Sequence, residues 1–496
     1  MKQRYETGNG CAVQRISDVP AWEVLKDSWN ASLGCSKTPS VFLTYEFLSA
    51  AWSLAGPNAQ LHILLVRHQG ILIGIAPLMV ISRRVLGLLS KTIQPIDRFL
   101  SERDFFILLG EETLFYEALA TYLSKNRVWN KLFFPGLPEG HPFLHAMKKT
   151  FSASLGILLE EKKNLIHPSI ILPSRWETYC SGLKPRFLKK LSGSIHELHK
   201  LGGIRVIGTS NPDMIRPYLE VYIQLEQRSW KGPLKSGITR TPDLLLFYQR
   251  MLTSCALHGW PEITFLTADS RVVAGSIQMI YRDEFFYLQT VHDESLKHYN
   301  PGMLLMTIQV WRACQKKLSC LHFMGGHHEY KRNWSTREWE SYTLCIRERL
   351  SGEGLARLGS LVLKDPFAGL SEAGWKKRRK SFMMPEQDAL EINPSLGQQA
   401  HVLLAEADLE KVFPDFRKND TAVVIAHAFP MLSRAEIEQL IQERFNARKD
   451  CNWKRADEIR DQLARHGVLI RDTKTETRWE HRQADAAADD HFIPAA

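Results

Sequence analysis

Glu262-Ile-Thr-Phe-Leu-Thr-Ala268, the turn Asp269-Ser270-Arg271 and Val272-Val-Ala-Gly-Ser-Ile-Gln-Met-Ile280 decide the fold of this chain. Two apolar runs rich in β-branched residues, joined by a short polar turn, predict a buried hairpin. Glu284-Phe-Phe-Tyr-Leu-Gln-Thr290 supplies a further strand. Upstream, apolar residues at helical spacing predict a helix over 214–230. Downstream, Pro301 opens a helix over 302–316, in the first turn, where its missing N–H costs nothing. Residues 318–324 then read as a strand running into a Gly-rich turn.

The same grammar occurs earlier in the chain. Val41 to Trp52 has helical spacing, Leu61 to Arg67 and Ile71 to Leu78 flank Gly70 as a hairpin, and residues 112–123 read as a helix. Lys131-Leu-Phe-Phe134 is a short strand ending at Pro135-Gly136. Each block puts strand, tight turn and a Gly-bearing strand after a helix. The parallel predicts an α/β fold with two duplicated domains, over 10–168 and 169–350.

Gly and Pro interrupt the pattern over 351–430, which predicts a linker with partial structure. Its basic run, Lys376-Lys-Arg-Arg-Lys380, reads as a solvated face or as a binding site. Residues 431–482 form a compact helical unit. Ser433-x-x-Glu436 is a capping box, Ile437, Leu440, Ile441 and Phe445 share one face, and Trp453, Ala456, Ile459 and Leu463 face inward on a second helix. Val468-Leu-Ile470 and Thr477-Arg-Trp479 suit a small hairpin. The Ala/Asp-rich stretch 483–496 predicts disorder.

Of the 496 residues, 44% are hydrophobic and 24% charged, which excludes a largely disordered chain. The net charge of +10 favours a polyanionic partner. Eight scattered cysteines without a C-x-x-C pair fit a reducing compartment, not a disulfide framework. The N-terminus lacks an apolar signal core, and the most apolar stretch, Ile71 to Ser82, is too short to span a bilayer. The expectation is a soluble cytoplasmic protein.

Phe323-Met-Gly-Gly-His-His-Glu-Tyr-Lys-Arg-Asn-Trp334 concentrates chemistry behind a strand, where two glycines allow close backbone approach. His322, His327, His328 and Glu329, with Cys320 nearby, could serve a metal, but adjacent His side chains point apart and no second cluster supports one. We therefore expect no metal. Arg228-Ser-Trp-Lys-Gly232 reads either as a phosphate or base contact or as core packing of Trp230. Leu183 to Lys190 is a basic amphipathic stretch. No G-x-x-x-x-G-K-[ST], G-x-S-x-G or H-E-x-x-H occurs, which argues against nucleotide hydrolysis and serine-hydrolase chemistry.

Phe42 to Trp52, the Val66-to-Leu78 hairpin, Leu183 to Lys190, Glu226 to Gly232, Asn300-Pro-Gly302 and Gly326 to Trp334 occur in an order that resembles the CelD-like acyltransferases. That family pairs two GNAT-like domains and is related to the Fem-type aminoacyltransferases. The resemblance covers about residues 10–350. It implies that Tyr330-Lys331 lies at the reaction centre, with Lys331 stabilising the oxyanion of a tetrahedral intermediate. His328 and Glu329, or His327, would accept the amine proton. Lys184, Arg186, Lys189, Lys190, Arg228, Trp230, Lys231, Gly325 and Gly326 would bind donor or acceptor. The usual acetyl-CoA loop of GNAT proteins is not recognisable in either half.

Ile437 to Leu463, Gly467 to Thr473 and Thr477-Arg-Trp479 resemble the C-terminal module of bacterial cysteinyl-tRNA synthetases. The resemblance implies contact with the cysteine tRNA through Arg444, Arg448, Lys454, Arg455, Arg478 and Trp479. The HIGH and KMSKS signatures of the synthetase are absent. Together these features predict two tandem GNAT-like, Fem-type domains plus a small C-terminal α-helical tRNA-binding-like domain. The expected activity is amide formation on an acceptor amine, with no tightly bound cofactor. The expected donor is aminoacyl-tRNA, cysteinyl-tRNA first. The alternatives are an acyl-CoA donor and a non-catalytic tRNA-binding protein. A cysteinyl-tRNA synthetase is the expected partner protein.

Overall fold

The computed structural model describes residues 4–7, 10–97, 106–152, 154–234, 236–325, 329–362, 389–393, 396–397, 401–413, 434–449, 455, 459, 463, 468–472, 476–481 and 491–494. One mixed sheet runs through both predicted blocks. In the first half, Arg4–Thr7, Cys11–Ile16, Ala59–His68, Ile71–Val85 and Leu88–Pro95 are antiparallel neighbours in that order. Lys131–Pro138 then joins Leu88–Pro95 in parallel, through Thr92↔Lys131 and Ile93↔Leu132 alone. The second half repeats this with Ile204–Thr209, Pro261–Ala268, Arg271–Tyr281 and Glu284–His292. Cys320–His322 joins Glu284–His292 in parallel over three register pairs.

The two halves are one body. Ile157–Ile171 pairs with Arg337–Glu348 along most of its length and with Cys320–His322 at its end. Arg337–Glu348 in turn pairs with Lys131–Pro138 of the first half. The expected boundary at 168/169 therefore falls inside an unbroken strand, and the last strand of the second half completes the first. Periodicity locates strands but carries no information on which strands become neighbours, so this joint was invisible in the sequence.

The expected hairpins are present and longer than predicted. Their glycines have a packing reason: a Cβ on Gly74 would sit 2.5 Å from the Phe115 ring, and one on Gly275 would sit 2.9 Å from Phe265. The helix expected over 41–52 is split. Val41–Leu43 is a 3-10 turn, and extended Thr44 caps Tyr45–Trp52 by accepting from the Phe47 amide at 3.3 Å. Pro185–His199 buries Phe187, Leu191, Ile195 and Leu198, spaced by four, four and three residues, and leaves Lys184, Arg186, Lys189 and Lys190 exposed.

The described parts of 351–430 are built onto both halves. Helix Gly352–Val362 is pinned where Glu353 meets Arg83 and Lys131. His401–Leu404 extends the sheet beside Ile204–Thr209, and Leu404, Leu409, Val412 and Phe413 enter the second core. The run 376–380 lies outside the described residues. In the C-terminal unit, helix Arg434–Lys449 places Ile437 and Ile441 against Ile459 and Leu463. Val468–Asp472, Glu476–His481 and His491–Pro494 form a three-stranded sheet. The expectation of disorder over 483–496 is thus corrected at His491–Pro494: cross-strand pairing supplies the backbone partners that its Ala/Asp-rich flank does not signal.

Candidate active site

The parallel pairing of Glu284–His292 with Cys320–His322 ends at Phe286 and His322; past this point, here called the splay, Glu284–His292 runs on as a strand and residues 323–325 do not. Helix Pro301–Gln315 begins nearby. Its cap, Asn300, is left-handed at φ 52° and donates through Nδ2 to Ser194 Oγ at 2.9 Å, which ties it to the basic helix Pro185–His199. A Cβ on Gly302 would meet His292 Nδ1 at 3.2 Å. The first turn carries no acidic residue. Its counterpart in the first half, Glu112–Lys125, starts with Glu111-Glu112. The positive end of a helix attracts anions, and carboxylates placed there repel them; of these two helix starts the second is the one without a carboxylate in its first turn.

Lys331 is buried, at 7% exposure. Its Nζ donates to the carbonyl of Phe323 at 2.8 Å, Gly325 at 3.3 Å and Met324 at 3.4 Å. The ammonium thus shapes the strand end next to the splay, a job the sequence reading did not anticipate. The 3-10 turn Glu329–Asn333 that carries it is held by Trp334. That ring is fully buried against Phe187 at 4.9 Å, and its carbonyl accepts from the Tyr179 hydroxyl at 2.6 Å. The same aromatic pair packs helix Pro185–His199 against the residue that follows this turn. Gly325 is half-buried at the edge of the splay. The side chains of Glu329 and Tyr330, together with Gly326, His327 and His328, lie outside the described residues.

On the face covered by helices Pro212–Arg228 and Pro242–Ala256 a second polar cluster meets the same strand. Lys231 Nζ donates to Gln289 Oε1 at 2.8 Å, and Gln289 Nε2 donates to the Tyr248 hydroxyl at 3.1 Å. Burial pushes the Lys231 ammonium down to about 8, against the opposing pull of Glu226. Glu226 is fully buried and accepts from the amides of Ile238 and Thr239, at 2.9 Å each, and from Thr239 Oγ1 at 2.7 Å. Its carboxylate would lie 2.0 Å from a Cβ on Gly237, so glycine is required there. Burial also raises the Tyr222 hydroxyl, which has Glu226, Tyr248 and Tyr287 around it. Arg228 and Trp230 are half-buried beside this cluster.

Glu226, Tyr222, Tyr248 and Gln289 were given no role from sequence. Each sits within an ordinary helix or strand pattern, and only the meeting of 212–228, 242–256 and 284–292 makes them a cluster. Cys320, His322 and Glu284 also line up, with Sγ 3.7 Å from Nδ1 and Nε2 3.2 Å from Oε1. Among the described residues no group of three His, Cys, Asp or Glu is arranged to hold a metal. In the C-terminal unit, Arg444 is buried at 8% exposure, on the helix that carries Ile437 and Ile441. Arg455 is exposed and pairs with Glu443 at 2.6 Å. The side chains of Arg448, Lys454, Arg478 and Trp479 lie outside the described residues.

Comparison with known proteins assigns two segments. Residues 185–332 match the acetyltransferase (GNAT) domain, and residues 433–479 match the cysteinyl-tRNA ligase anticodon binding domain. The cysteine–tRNA ligase of Ligilactobacillus salivarius is 33% identical over 136 residues, 24% of this chain and 29% of that protein. The ligase of Francisella tularensis subsp. novicida is 52% identical over 46 residues, 9% of this chain and 10% of that protein. The chain therefore spans less than a third of the length of these ligases. Among solved structures, FemX superposes with a TM-score of 0.46 at 12% identity, over 67% of this chain and 98% of its own. A tandem GNAT protein from the clavulanic acid biosynthesis pathway gives 0.37 at 10%, over 67% and 98%. Among the described residues no helix is long and apolar enough to cross a membrane. The chain thus carries a GNAT acetyltransferase domain in the second half of its sheet and a cysteinyl-tRNA ligase anticodon-binding domain near its C-terminal end.

Proposed function

We propose that this protein forms an amide on an acceptor amine, taking the aminoacyl group from a charged tRNA, with cysteinyl-tRNA as the first donor. The observation that carries this reading is the presence, in one chain, of a GNAT domain and a tRNA-ligase anticodon-binding domain. The exposed cations Lys184, Arg186, Lys189 and Lys190, on and next to the helix whose Phe187 packs on Trp334, support it, because a tRNA acceptor stem brings a dense row of phosphates. In this scheme the amine nitrogen attacks the ester carbonyl, the C–N bond forms, and the C–O bond to the terminal ribose breaks. The ribose oxygen leaves with a proton.

The segment His328-Glu329-Tyr330-Lys331 is the proposed reaction centre. Lys331 acts there through the carbonyls it holds, which set the strand end that faces the donor. Lys231, pushed down to about 8 by burial, is a further proposed proton acceptor for the attacking amine, in addition to His328 and Glu329. Arg228, Trp230, Gly325 and Gly326 complete the walls. Arg448, Lys454, Arg455, Arg478 and Trp479 are the proposed tRNA contacts of the C-terminal unit. Charged tRNA and a partner cysteinyl-tRNA synthetase would place the reaction in the cytoplasm. The match to an acetyltransferase domain favours one second reading, an acyl-CoA donor feeding the same amide chemistry.

The test compares the full chain with residues 1–430 in gel shifts against total tRNA, with sequencing of the retained species, and in transfer from labelled cysteinyl-tRNA to amine acceptors. Enrichment of the cysteine isoacceptor by the full chain alone, together with amide-linked label, supports the proposal. Equal retention by both forms, or label transfer only from acyl-CoA, overturns it. Retention without transfer from either donor makes the chain a tRNA-binding protein.

A further inference from the structure

One end of the sheet in the first half is studded with exposed leucines. The Ile71–Val85/Leu88–Pro95 turn, the start of Lys131–Pro138, the start of Ile157–Ile171 and the end of Arg337–Glu348 all lie at this end, as the parallel and antiparallel pairings require. Each presents a large apolar side chain to solvent. Leu86 (68% exposed), Leu88 and Leu89 stand on the first turn, Val128 before the second strand, Leu155 (98%) before the third and Leu350 (87%) after the fourth. Helix Gly352–Val362 packs against the same end and adds Leu355 and Leu358 on its outward side. Monomeric surfaces seldom gather large apolar side chains in this way without an interaction to serve.

The fold does not require these leucines, and the chain contains its own control. The matching turn of the second half, Tyr281-Arg282-Asp283-Glu284, also begins on a left-handed residue, Arg282 at φ 55° against Leu86 at φ 50°, but its second residue does not share the positive φ of Gly87. There the tip is polar. Leu86 occupies a left-handed position that L side chains adopt under strain, and it recovers no burial in return. A strained, exposed leucine at a turn where asparagine or glycine would sit comfortably has its use outside the folded monomer.

Cations alternate with the leucines. Arg84, Lys91, Arg127 and Arg349 are exposed at this end. The carboxylates here are engaged: Glu348 accepts from Asn130 at 2.8 Å, and Glu353 is held by Arg83 and Lys131. The core of a protein interface is depleted of charge, whereas apolar tips collared by Lys and Arg fit the boundary between lipid headgroups and acyl chains. We propose that this end of the sheet docks the protein on an anionic bilayer surface. The leucine tips insert among the acyl chains, and the collar meets lipid phosphates.

The test is co-sedimentation of the full, RNA-free chain with phosphatidylcholine vesicles made with and without phosphatidylglycerol. The wild-type chain is expected to pellet with the anionic vesicles and to be released by salt. The triple variant Leu86→Asn, Leu89→Asn, Leu350→Asn should lower the partition coefficient at least about tenfold. Leu86→Asn alone should keep or raise the melting temperature, because asparagine tolerates the left-handed backbone, which separates lost docking from lost folding. Lys91→Gln with Arg349→Gln should remove the preference for phosphatidylglycerol. Failure of the wild-type chain to pellet, or equal pelleting of the triple variant, overturns the proposal. So does concentration-dependent self-association in sedimentation velocity that the triple variant abolishes, which would assign the patch to a second copy of the chain.

Discussion

Replacing Lys331 with methionine separates two accounts of the proposed reaction centre. The side chain is 7% exposed, and its ammonium donates to three carbonyls of residues 323–325, one at 2.8 Å and two at 3.3–3.4 Å. Methionine has nearly the same length and fills the same space, so the cavity contribution is small. The short charge-assisted bond is worth about 1.5–3 kcal/mol, the two long ones less, and loss of the ammonium's own desolvation cost offsets part of this. The net expectation is about 2–4 kcal/mol, or roughly 5–15 °C in melting temperature at about 2–4 °C per kcal/mol. Thermal unfolding followed by calorimetry measures it, and amide exchange at Phe323, Met324 and Gly325 should quicken. If Lys331 instead met a developing oxyanion directly, stability and exchange would stay at wild-type values while transfer fell about 10²–10³-fold. A melting temperature within about one degree of wild type, with unchanged exchange, would refute the clamp derived from the structure.

Three further outcomes follow from other parts of the molecule. Lys231 has a folded pKa of about 8, below its ordinary 10.5, so between those values the unfolded chain binds more protons and stability rises with pH; transfer should rise through pH 8, and Lys231→Gln should remove that limb from the pH–rate profile. Against the upward push of burial, the Arg312 guanidinium, bonded to Glu262 at 2.8 and 2.9 Å, holds that carboxyl well below the ordinary range, so its contribution is present above about pH 4.5 and is lost only as pH falls through the depressed value. Arg312→Met strands the buried carboxylate and should cost about 3–5 kcal/mol by denaturant titration. Neutralising Lys184 with Arg186, or Lys189 with Lys190, should flatten the salt dependence of tRNA binding by about one slope unit per lost phosphate contact, and wild-type slopes would return these residues to a merely solvated face.

The elements of the sheet were legible because burial imposes a period of two on strands and 3.6 on helices, and Pro301, Gly70 and the 269–271 turn punctuate that pattern clearly. The duplication was legible for the same reason. The C-terminal unit was readable nearly residue by residue, and its match over 433–479 agrees with that reading. The exposed basic face of Pro185–His199 was also correct, since Phe187, Leu191, Ile195 and Leu198 leave Lys184, Arg186, Lys189 and Lys190 only the outward side.

Pairing and partnership were not legible. Whether Arg337–Glu348 lies beside Lys131–Pro138 depends on contacts about two hundred residues apart, which no local period encodes. That pairing joins the halves into one sheet. The immediate work of Lys331 depends on where the carbonyls of 323–325 turn. The Lys231–Gln289–Tyr248 chain needs a helix, a strand and a short connecting turn to converge. The burial of Arg444 depends on which face of helix Arg434–Lys449 packs. The sequence alone determined the elements, the repeat and the two domain resemblances that the matches over 185–332 and 433–479 bear out. The tertiary structure decided which polar groups lose water and which partners replace it, because desolvation and hydrogen bonding are properties of the assembled neighbourhood, not of the residue.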